Sequence, residues 1–306
     1  MSFFLALDAG GTKTDYVLAD ETKELARVRT GTIKRMRVDA ATASENLETA
    51  LAELSSKTGV SMAAVTRTCV GTAGESVSLV TDWLRESITA RVGGALLILG
   101  DVEIALDAAF PGQSGVLVMA GTGSNVVGRT SGGVLVPAGG YGPALADQGS
   151  GHRIGLESLR ALFLARDEGR PTKLLDAVLD FWQLSSLDHL VEHANRIPAP
   201  DFSTLTGVVF ECAERGDEIA LAVLRQQGEE LAYLVRLVMR RLRLASKDPC
   251  WTPPIAYTGS ILENVPPVRM ALIAAVQQEF PGIHAPMGAV DPIEGALWRA
   301  RTGSFS

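Results

Sequence analysis

One local pattern occurs twice in this chain and constrains its fold more than any other feature. Each copy has an apolar strand, a tight glycine turn and a second strand, with the turns at 9–14 and 120–125. Such turns leave backbone N–H groups without partners and hold hydroxyl groups beside them, which suits a phosphate chain. One turn would be a weak signal, whereas two predict a duplicated fold that holds one polyphosphate from both sides.

The composition is that of a globular protein with two domains. The chain has 306 residues, 46% of them hydrophobic and 21% charged, and single cores seldom grow to this length. The net charge of −7 argues against nucleic acid or an anionic membrane as the main partner, since either needs a basic face. The N-terminus lacks a basic flank and a cleavage site, and the apolar run at 93–100 is too short to span a bilayer. We therefore expect a cytoplasmic protein.

Apolar periodicity predicts strands that alternate with helices in both halves, which is the α/β class. In the first half the predicted strands are 3–8, 14–19, 24–30, 66–70 and 95–99, and the predicted helices are 40–57, 77–90 and 102–110. In the second half we predict a hairpin at 115–129, helices at 155–167, 172–183, 203–214 and 217–245, a strand at 255–257 and a helix at 260–280. The strand 95–99 is apolar throughout, so we expect it to be buried on both faces.

A break at Phe110-Pro111-Gly112 indicates the domain boundary. We expect an N-terminal domain at 1–112 and a C-terminal domain at 113–290. Helices dominate the second domain at about 155–250, which we interpret as a helical insertion. A final helix at about 291–306 begins with Asp291-Pro292, a pair that favours helix initiation.

The first glycine turn follows an acidic residue, Asp8, at the end of a strand. Its candidate phosphate-binding residues are Gly10, Gly11, Thr12, Lys13 and Thr14. We interpret this turn as a phosphate cradle in which Asp8 holds Mg²⁺ through water. A tight hairpin with an exposed aspartate is the alternative, because glycine turns are common.

The second turn offers a matching phosphate site in the other half of the chain. Its candidate residues are Gly121, Thr122, Gly123 and Ser124. A plain turn is again the alternative, although Thr122 and Ser124 add two hydroxyl groups to the backbone N–H groups. The chain has no GxxxxGK(S/T) sequence and no GxGxxG that links a strand to a helix, which disfavours the P-loop and dinucleotide-binding classes.

Asp101 is the candidate catalytic residue. The apolar strand 95–99 delivers it to a carboxyl-terminal sheet edge, where ligand sites of α/β proteins lie. A carboxylate there can act as a general base toward an attacking hydroxyl group. The alternative is that Asp101 caps the helix at 102–110.

Two further segments carry candidate ligand contacts. The segment 139–151 is too rich in glycine for an ordinary connection and predicts a substrate loop, in which Tyr141 stacks on a sugar face and Asp147 accepts hydrogen bonds from hydroxyl groups. A flexible loop is the alternative. At 258–260, Gly259 allows a flat ring such as adenine to approach the backbone, and the alternative is a helix cap by Ser260.

The cysteines and histidines show no pattern of a metal or nucleophile site. Cys69, Cys212 and Cys250 lie far apart without a CxxC pair, which is typical of reduced thiols. His152 and His284 have no metal-ligand spacing, and the pair His189 and His193 predicts a surface helix.

Taken in order, these segments resemble the sugar kinase/actin/Hsp70 superfamily and, within it, the N-acetylglucosamine kinase branch of the BadF/BadG/BcrA/BcrD ATPase family. The residues that carry the resemblance are Asp8–Thr14, Gly100-Asp101, Gly121–Asn125, Gly140–Gly142, Asp147–Gly151, Ile154-Gly155 and Gly259-Ser260. The resemblance implies two ribonuclease H-like lobes with the active site in the cleft between them. It also implies that the last helix packs on the first lobe and that the protein is a homodimer.

The same resemblance implies a role for each candidate residue. Asp8 would organise Mg²⁺, the turn 10–14 would bind phosphates and Asp101 would be the catalytic base. The other implied contacts are Gly121, Thr122, Gly123 and Ser124 with phosphates, Asn125, Tyr141, Asp147 and Gly151 with the sugar, and Gly259 and Ser260 with adenosine.

Three departures from the family pattern concern the substrate. The segment 31–36 stands where the sugar kinases carry an Asn-His-like pair, and its Lys34 or Arg35 could favour an anionic or differently hydroxylated substrate, with a surface position as the alternative. Tyr141 replaces a tryptophan and Gln148 replaces a glutamate.

The predicted function is an ATP- and Mg²⁺-dependent kinase that phosphorylates the primary hydroxyl of an amino sugar such as N-acetylglucosamine or glucosamine. One alternative is an activator ATPase with an iron–sulfur cluster between subunits, but the three cysteines lack the close placement that such a cluster needs. The other is a sugar- or nucleotide-binding regulator without catalysis, against which Asp8 and Asp101 argue.

Overall fold

The computed structural model describes residues 1–74, 77–284 and 288–303. Contacts divide the chain into two compact units. Unit 1 comprises Met1–Gln113 and Val290–Ser306, and unit 2 comprises Ser114–Ala289.

Unit 1 has five strands, four α-helices and one 3-10 helix among its described residues. The strands are β1 (Phe3–Ala9), β2 (Lys13–Ala19), β3 (Glu24–Gly31), β4 (Val65–Thr72) and β5 (Ala95–Leu99). The α-helices are α1 (Ala40–Thr58), α2 (Ser78–Thr89), α3 (Asp101–Ala109) and α11 (Pro292–Thr302), and the 3-10 helix is Met62–Ala64. The predicted elements of this unit agree with the structure apart from small shifts at their ends, and the end of the predicted last helix at 304–306 lies outside the described residues.

The sheet of unit 1 has the strand order β3-β2-β1-β4-β5. The strand β1 pairs antiparallel with β2 and parallel with β4, and its residues are largely buried because helices cover both faces of the sheet. The prediction for β5 was wrong: Ala95 is exposed and Leu96–Leu99 are only half-buried. The physical reason is its place at the sheet edge, where β4 is its one neighbouring strand.

The helix α11 packs against α3 and the sheet of unit 1. Ile293, Leu297 and Ala300 form one buried cluster with Ile104 of α3 and with apolar side chains of β1. Gly295 lies so close to α3 that a Cβ atom there would overlap the Ile104 carbonyl group. The last described helix is therefore an integral part of the unit 1 core.

Unit 2 has four strands and seven α-helices among its described residues. The strands are β6 (Gly115–Ala120), β7 (Ser124–Arg129), β8 (Leu135–Gly139) and β9 (Ile255–Thr258). The α-helices are α4 (Gly151–Asp167), α5 (Leu174–Trp182), α6 (Leu187–Asn195), α7 (Thr206–Glu214), α8 (Glu218–Ser246), α9 (Ser260–Asn264) and α10 (Pro266–Gln277), and Phe202–Leu205 forms a 3-10 helix. The helices α4–α8 lie in sequence between β8 and β9.

Two elements of unit 2 differ from the predictions. The strand β8 lies inside a glycine-rich stretch that the sequence did not mark as a strand. The helix predicted at 260–280 is interrupted between α9 and α10, because Pro266 and Pro267 lack backbone N–H donors and restrict Val265 before them.

The two sheets share one arrangement of strands. The sheet of unit 2 has the order β8-β7-β6-β9, and β6 pairs antiparallel with β7 and parallel with β9, as β1 does with β2 and β4. Ala9 pairs with Thr14 in the first hairpin and Ala120 with Ser124 in the second. The predicted duplication is therefore present in the strand pairing. Among the described residues, none of the helices combines the length and apolar character that crossing a membrane requires.

Candidate active site

The first glycine turn joins β1 to β2 and has the features of a phosphate cradle. The backbone N–H groups of Gly10, Gly11 and Thr12 donate no hydrogen bond to any described residue. The carbonyl group of Gly10 accepts a hydrogen bond from the Thr32 hydroxyl at 2.7 Å, which holds the turn. Unpartnered N–H groups on a fixed turn are suited to bind anionic oxygen atoms.

Thr14 lies apart from the other predicted phosphate-binding residues of this turn. Its side chain is fully buried in β2, and its hydroxyl accepts a hydrogen bond from the Ile33 N–H at 3.2 Å. Its side chain therefore supports the turn from within the unit 1 core, and the phosphate contact of Thr14 stays a prediction. Lys13, the first residue of β2, is exposed.

Asp8 and Asp101 form an acidic pair in unit 1. The pKa of Asp8 is raised to about 7, chiefly by burial and then by the negative charges of Asp101, Asp15 and Asp291, while Lys13 opposes the shift. Asp15 and Asp291 each have an arginine partner at 2.6 Å. Mg²⁺ is commonly held by one or two carboxylates together with substrate phosphates, so this pair beside a phosphate cradle fits a magnesium ion.

Asp101 is the first residue of α3, and the capping alternative does not describe its position. The N-cap is Gly100, whose N–H donates to Glu103 Oε2 at 3.1 Å. Asp101 Oδ1 accepts the N–H of Val102 at 2.9 Å. Glu103 satisfies the cap, so Asp101 is not the cap residue, and its negative charge raises the pKa of Asp8.

The segment that follows β3 carries two basic side chains with different contacts, Arg35 and Arg37. Arg35 Nη1 donates to the Val38 carbonyl at 2.6 Å, so Arg35 stabilises its own loop. Arg37, which the sequence analysis did not single out, has Nε at 3.8 Å from the position of a Cβ atom on Gly11. A cationic side chain therefore lies beside the first glycine turn.

The raised pKa of Asp8 leads to a pH-dependent prediction. The folded-state pKa lies above the ordinary value of 3.8, so ionisation of Asp8 destabilises the folded chain as the pH rises from about 4 to about 7. Asp8→Asn removes this ionisation. When the pH is raised from 5 to 8 without Mg²⁺, we therefore expect the free energy of unfolding of the variant to rise by about 2 kcal/mol relative to that of the wild type. Urea unfolding at both pH values measures the difference. The matched control is Asp82→Asn, which removes an exposed carboxylate on α2; an equal gain in that variant would contradict the assignment.

The second glycine turn joins β6 to β7 and is fastened to the segment that follows β8. The N–H groups of Thr122 and Gly123 donate to no acceptor in the described part of the chain. The Ser124 N–H donates to Asp147 Oδ1 and the Ser124 hydroxyl to the Gln148 carbonyl, both at 2.7 Å. Ser150 Oγ donates to Asp147 Oδ2, also at 2.7 Å. The buried Asp147 therefore joins the second glycine turn to the predicted substrate loop.

A cavity of about 220 Å³ lies where the turn and the loop meet, and we call it the turn–loop cavity. Its lining residues are Thr122, Gly123, Ser124, Gly140, Gly142, Pro143, Asp147 and His152. Asn125 packs against Gly140, since a Cβ atom on Gly140 would lie 2.9 Å from the Asn125 carboxamide carbon. Tyr141 is 68% exposed and is not part of the lining.

A second cavity, of about 250 Å³, lies between the same turn and several helices of unit 2, and we call it the helix cavity. It is lined by Gly121, Thr122, Gly151, Ser203, Thr206, Gly207, Phe210, Ser260, Ile261, Asn264 and Val265. Gly259 has a φ of 103°, and a Cβ atom there would overlap the Ala120 carbonyl, so glycine is required beside this cavity. Gly151, predicted to contact the sugar, lines the helix cavity with Ser260 and not the turn–loop cavity.

The model of the BadF/BadG/BcrA/BcrD ATPase family matches residues 5–300 of this chain. The chain belongs to this family. The N-acetylmuramic acid/N-acetylglucosamine kinase of Clostridium acetobutylicum is 28% identical to it in an alignment of 280 residues that covers 87% of each chain. The N-acetyl-D-glucosamine kinase of Dictyostelium discoideum is 28% identical in an alignment of 310 residues, gaps included, that covers 96% of each chain. The solved structure of a candidate N-acetylglucosamine kinase from Chromobacterium violaceum has a TM-score of 0.73 at 26% identity and covers 97% of this chain and 98% of its own.

Membership of the BadF/BadG/BcrA/BcrD ATPase family confirms the resemblance predicted from the sequence. The predicted fold class is also confirmed, since the α/β architecture with two sheets agrees with that of the kinase structure. Each unit contributes one hairpin turn that contains N–H groups without an acceptor among the described residues.

Several residues that line the cavities were missed by the sequence analysis. Ser203, Thr206 and Asn264 reach the helix cavity from separate helices, so no local pattern connects them. His152 lines the turn–loop cavity because Ser150 caps α4 and fixes the first turn of that helix. The cap at Ser150 was the one sequence signal that could have placed His152 at a helix start.

In the described residues, all three cysteines are free thiols, and two of them are buried. Burial raises the pKa of the Cys69 thiol to about 12, and burial also raises the pKa of the Cys212 thiol. Cys250 is exposed, and the described residues contain no group of three or more histidine, cysteine or acidic side chains placed to hold a metal ion.

Gln227 of α8 supports the loop from the side away from the turn. The side chain is fully buried, and its Oε1 accepts the Gly149 N–H at 3.1 Å. Gly149 has a φ of 76° and lies against α8, where a Cβ atom would be 2.9 Å from Leu231. The helix α8 therefore fixes the backbone between Asp147 and Ser150.

Replacing Gln227 by methionine tests this support. The substitution keeps the volume but leaves the buried Gly149 N–H without an acceptor, so we expect a loss of about 1–3 kcal/mol in the free energy of unfolding. Thermal and urea unfolding measure the loss. Gln226→Met is the matched control, because the neighbouring Gln226 is exposed and bonds only Glu230 among the described side chains; equal losses in both variants would contradict the role of Gln227.

Proposed function

We propose that this chain is an ATP-dependent kinase that phosphorylates the primary hydroxyl of an amino sugar such as N-acetylglucosamine or glucosamine. The observation that carries the proposal is the pair of equivalent hairpin turns with unpartnered N–H groups, one in each unit. The predicted sugar-kinase activity is confirmed at the level of class by the two relatives, which are named as kinases of N-acetylated amino sugars.

The two turns bind the phosphates of ATP in this proposal. Gly10, Gly11 and Thr12 supply backbone N–H groups from unit 1, and Thr122 and Gly123 supply them from unit 2. Asp8 would hold Mg²⁺ through water, and the nearby Asp101 would add negative charge beside it. The ion, when bound, offsets the charge of the phosphate oxygens.

Asp101 is the general base. Its carboxylate accepts the proton of the sugar hydroxyl as the oxygen of that hydroxyl bonds to the γ-phosphorus and the bond to the β-phosphate oxygen breaks. ADP is the leaving group. The alignment of hydroxyl and phosphoryl group supplies much of the rate, because little covalent chemistry falls to the protein.

We assign the sugar and the adenosine moiety of ATP to different cavities of unit 2. The turn–loop cavity, with Asp147 and the neighbouring Asn125, suits a polyhydroxylated ligand because it offers both hydrogen-bond donors and acceptors. The helix cavity suits the adenosine moiety. It is lined in part by Ser260 and Asn264, and the backbone at Gly259 lies beside it. A homodimer and a cytoplasmic location stay predictions.

A coupled assay of ADP release over a panel of sugars tests the proposed function. The panel contains N-acetylglucosamine, glucosamine, N-acetylmuramic acid, glucose and galactose, each with ATP and Mg²⁺ and with a sugar-free control. We expect ADP release to rise strongly with at least one amino sugar over the sugar-free rate. Equal rates with and without every sugar of the panel would contradict a kinase and leave an ATPase or a binding protein.

A further inference from the structure

The turn–loop cavity contains an ionisable side chain that the kinase proposal does not use. His152 is half-buried, and its ring meets the Phe202 ring edge-to-face at 5.5 Å between centroids. Its backbone N–H donates to the Thr122 carbonyl at 3.2 Å. The ring nitrogens have no hydrogen-bond partner within the described ranges, although the ring belongs to the cavity lining.

Some polar groups of this cavity already have hydrogen-bond partners in the described residues, and others do not. Asp147 is the acidic residue of the lining, and both of its carboxylate oxygens already accept hydrogen bonds, from the Ser124 N–H and from Ser150 Oγ. By contrast, the N–H groups of Thr122 and Gly123 donate to no described acceptor. The N–H groups of Thr122 and Gly123 are therefore donors of this cavity that an anionic oxygen can use.

From this arrangement we propose that His152 is a further catalytic residue, whose imidazole N–H donates a hydrogen bond to an oxygen of the phosphoryl group held by Thr122 and Gly123. The proposal rests on the proposed phosphoryl transfer and adds a residue to it. His152 keeps its proton throughout, and its donor stabilises negative charge on the phosphoryl oxygens, where charge accumulates in the transition state. A contact with the sugar is the competing assignment for the same side chain.

Two substitutions separate the donor from the ring. His152→Phe keeps an aromatic ring against Phe202 but has no N–H, whereas His152→Gln restores a donor. We expect kcat of the phenylalanine variant to fall about 10–100-fold with KM for the sugar within about threefold, and kcat of the glutamine variant to stay within about fivefold of the wild type. His189→Phe is the matched control, since His189 lies exposed on α6 and bonds Ser185.

Three kinetic outcomes would overturn the proposal. A rise in KM for the sugar with kcat unchanged would overturn the proposal, because it places the imidazole on the sugar. Equal losses of kcat in the two His152 variants with lowered melting temperatures would also overturn it, because they mark a packing role. Unchanged kinetics in His152→Phe would overturn it directly.

Binding of pyrophosphate provides a readout that does not need turnover. Isothermal titration of the full chain with pyrophosphate is expected to give an affinity about 5–10-fold weaker for His152→Phe than for the wild type and for His189→Phe. Equal affinities, or no binding by the wild type, would overturn the role of His152. Failure of the sugar panel with this affinity difference intact would instead contradict the proposed sugar kinase and leave the phosphate contact standing.

Discussion

Asp101→Asn is expected to lower sugar-dependent turnover by about 10²–10⁴-fold, since the variant keeps the shape of the side chain but loses the general base. ATP binding should change little, because the N–H groups that we propose to bind the phosphates belong to the turns and not to α3. The same substitution removes a negative charge near Asp8, so the pKa of Asp8 should fall. Steady-state kinetics and titration with an ATP analogue measure the two effects separately.

Glu103→Gln is the matched control for Asp101. Glu103 lies in the same helical turn, and glutamine retains an oxygen that accepts the Gly100 N–H. Its turnover should stay within about threefold of the wild type, as expected of a change away from the reacting atoms. Near-normal turnover of Asp101→Asn, or a comparable loss in Glu103→Gln, would reject Asp101 as the base.

Gly295→Ala is expected to lower the stability of unit 1 by about 2–3 kcal/mol, because the added methyl group overpacks the contact of α11 with α3. The new Cβ atom would overlap the Ile104 carbonyl and lie 2.5 Å from the Ala108 amide nitrogen, and backbone atoms cannot rotate away. The loss exceeds the gain of about 1 kcal/mol in helix propensity that alanine offers over glycine. A fall in the melting temperature of roughly 5–10 °C follows.

Hydrogen exchange locates this effect. Amides of β1, β4 and α3 should exchange faster in Gly295→Ala, since α11 completes the buried cluster that contains them. Gly207→Ala is the control, because Gly207 is also helical but has nothing within 4 Å of its Cβ position; it should be neutral or stabilising by about 0.5–1 kcal/mol. Loss of protection in unit 2 alone would contradict the packing of α11 described above.

The sequence was most informative where a local pattern has one physical solution. The hairpins at 9–14 and 120–125 could be predicted because glycine turns between apolar strands leave few alternatives. Asp101 could be placed at a strand-to-helix junction because the strand before it is apolar and the helix after it is amphipathic. The start of α11 followed from Asp291 as cap and Pro292 in the first turn.

The remaining features depend on contacts between distant residues, which periodicity does not reveal. The edge position of β5 is set by the strand order, so an apolar sequence could not distinguish it from a central strand. Thr14 looks like a turn residue, yet the strand pairing turns its side chain into the core. Gly151 is adjacent to the predicted substrate loop in sequence, but α4 directs it to the helix cavity.

The same limit applies to the residues that line the site. His152 carries no spacing signal and becomes a candidate only once the cavity around it is known. The sequence does not show which of the three basic side chains Lys34, Arg35 and Arg37 reaches the first turn, so the position of Arg37 beside Gly11 could not be predicted.

The central claim is that this chain transfers the γ-phosphoryl group of ATP to the primary hydroxyl of an amino sugar. Phosphorus–proton correlation NMR of the product made from ATP and N-acetylglucosamine or glucosamine tests it most directly. The account predicts a phosphomonoester whose phosphorus couples to the two protons of the primary carbon of the sugar. Phosphorus coupled to the anomeric proton, or inorganic phosphate as the sole product, would contradict it.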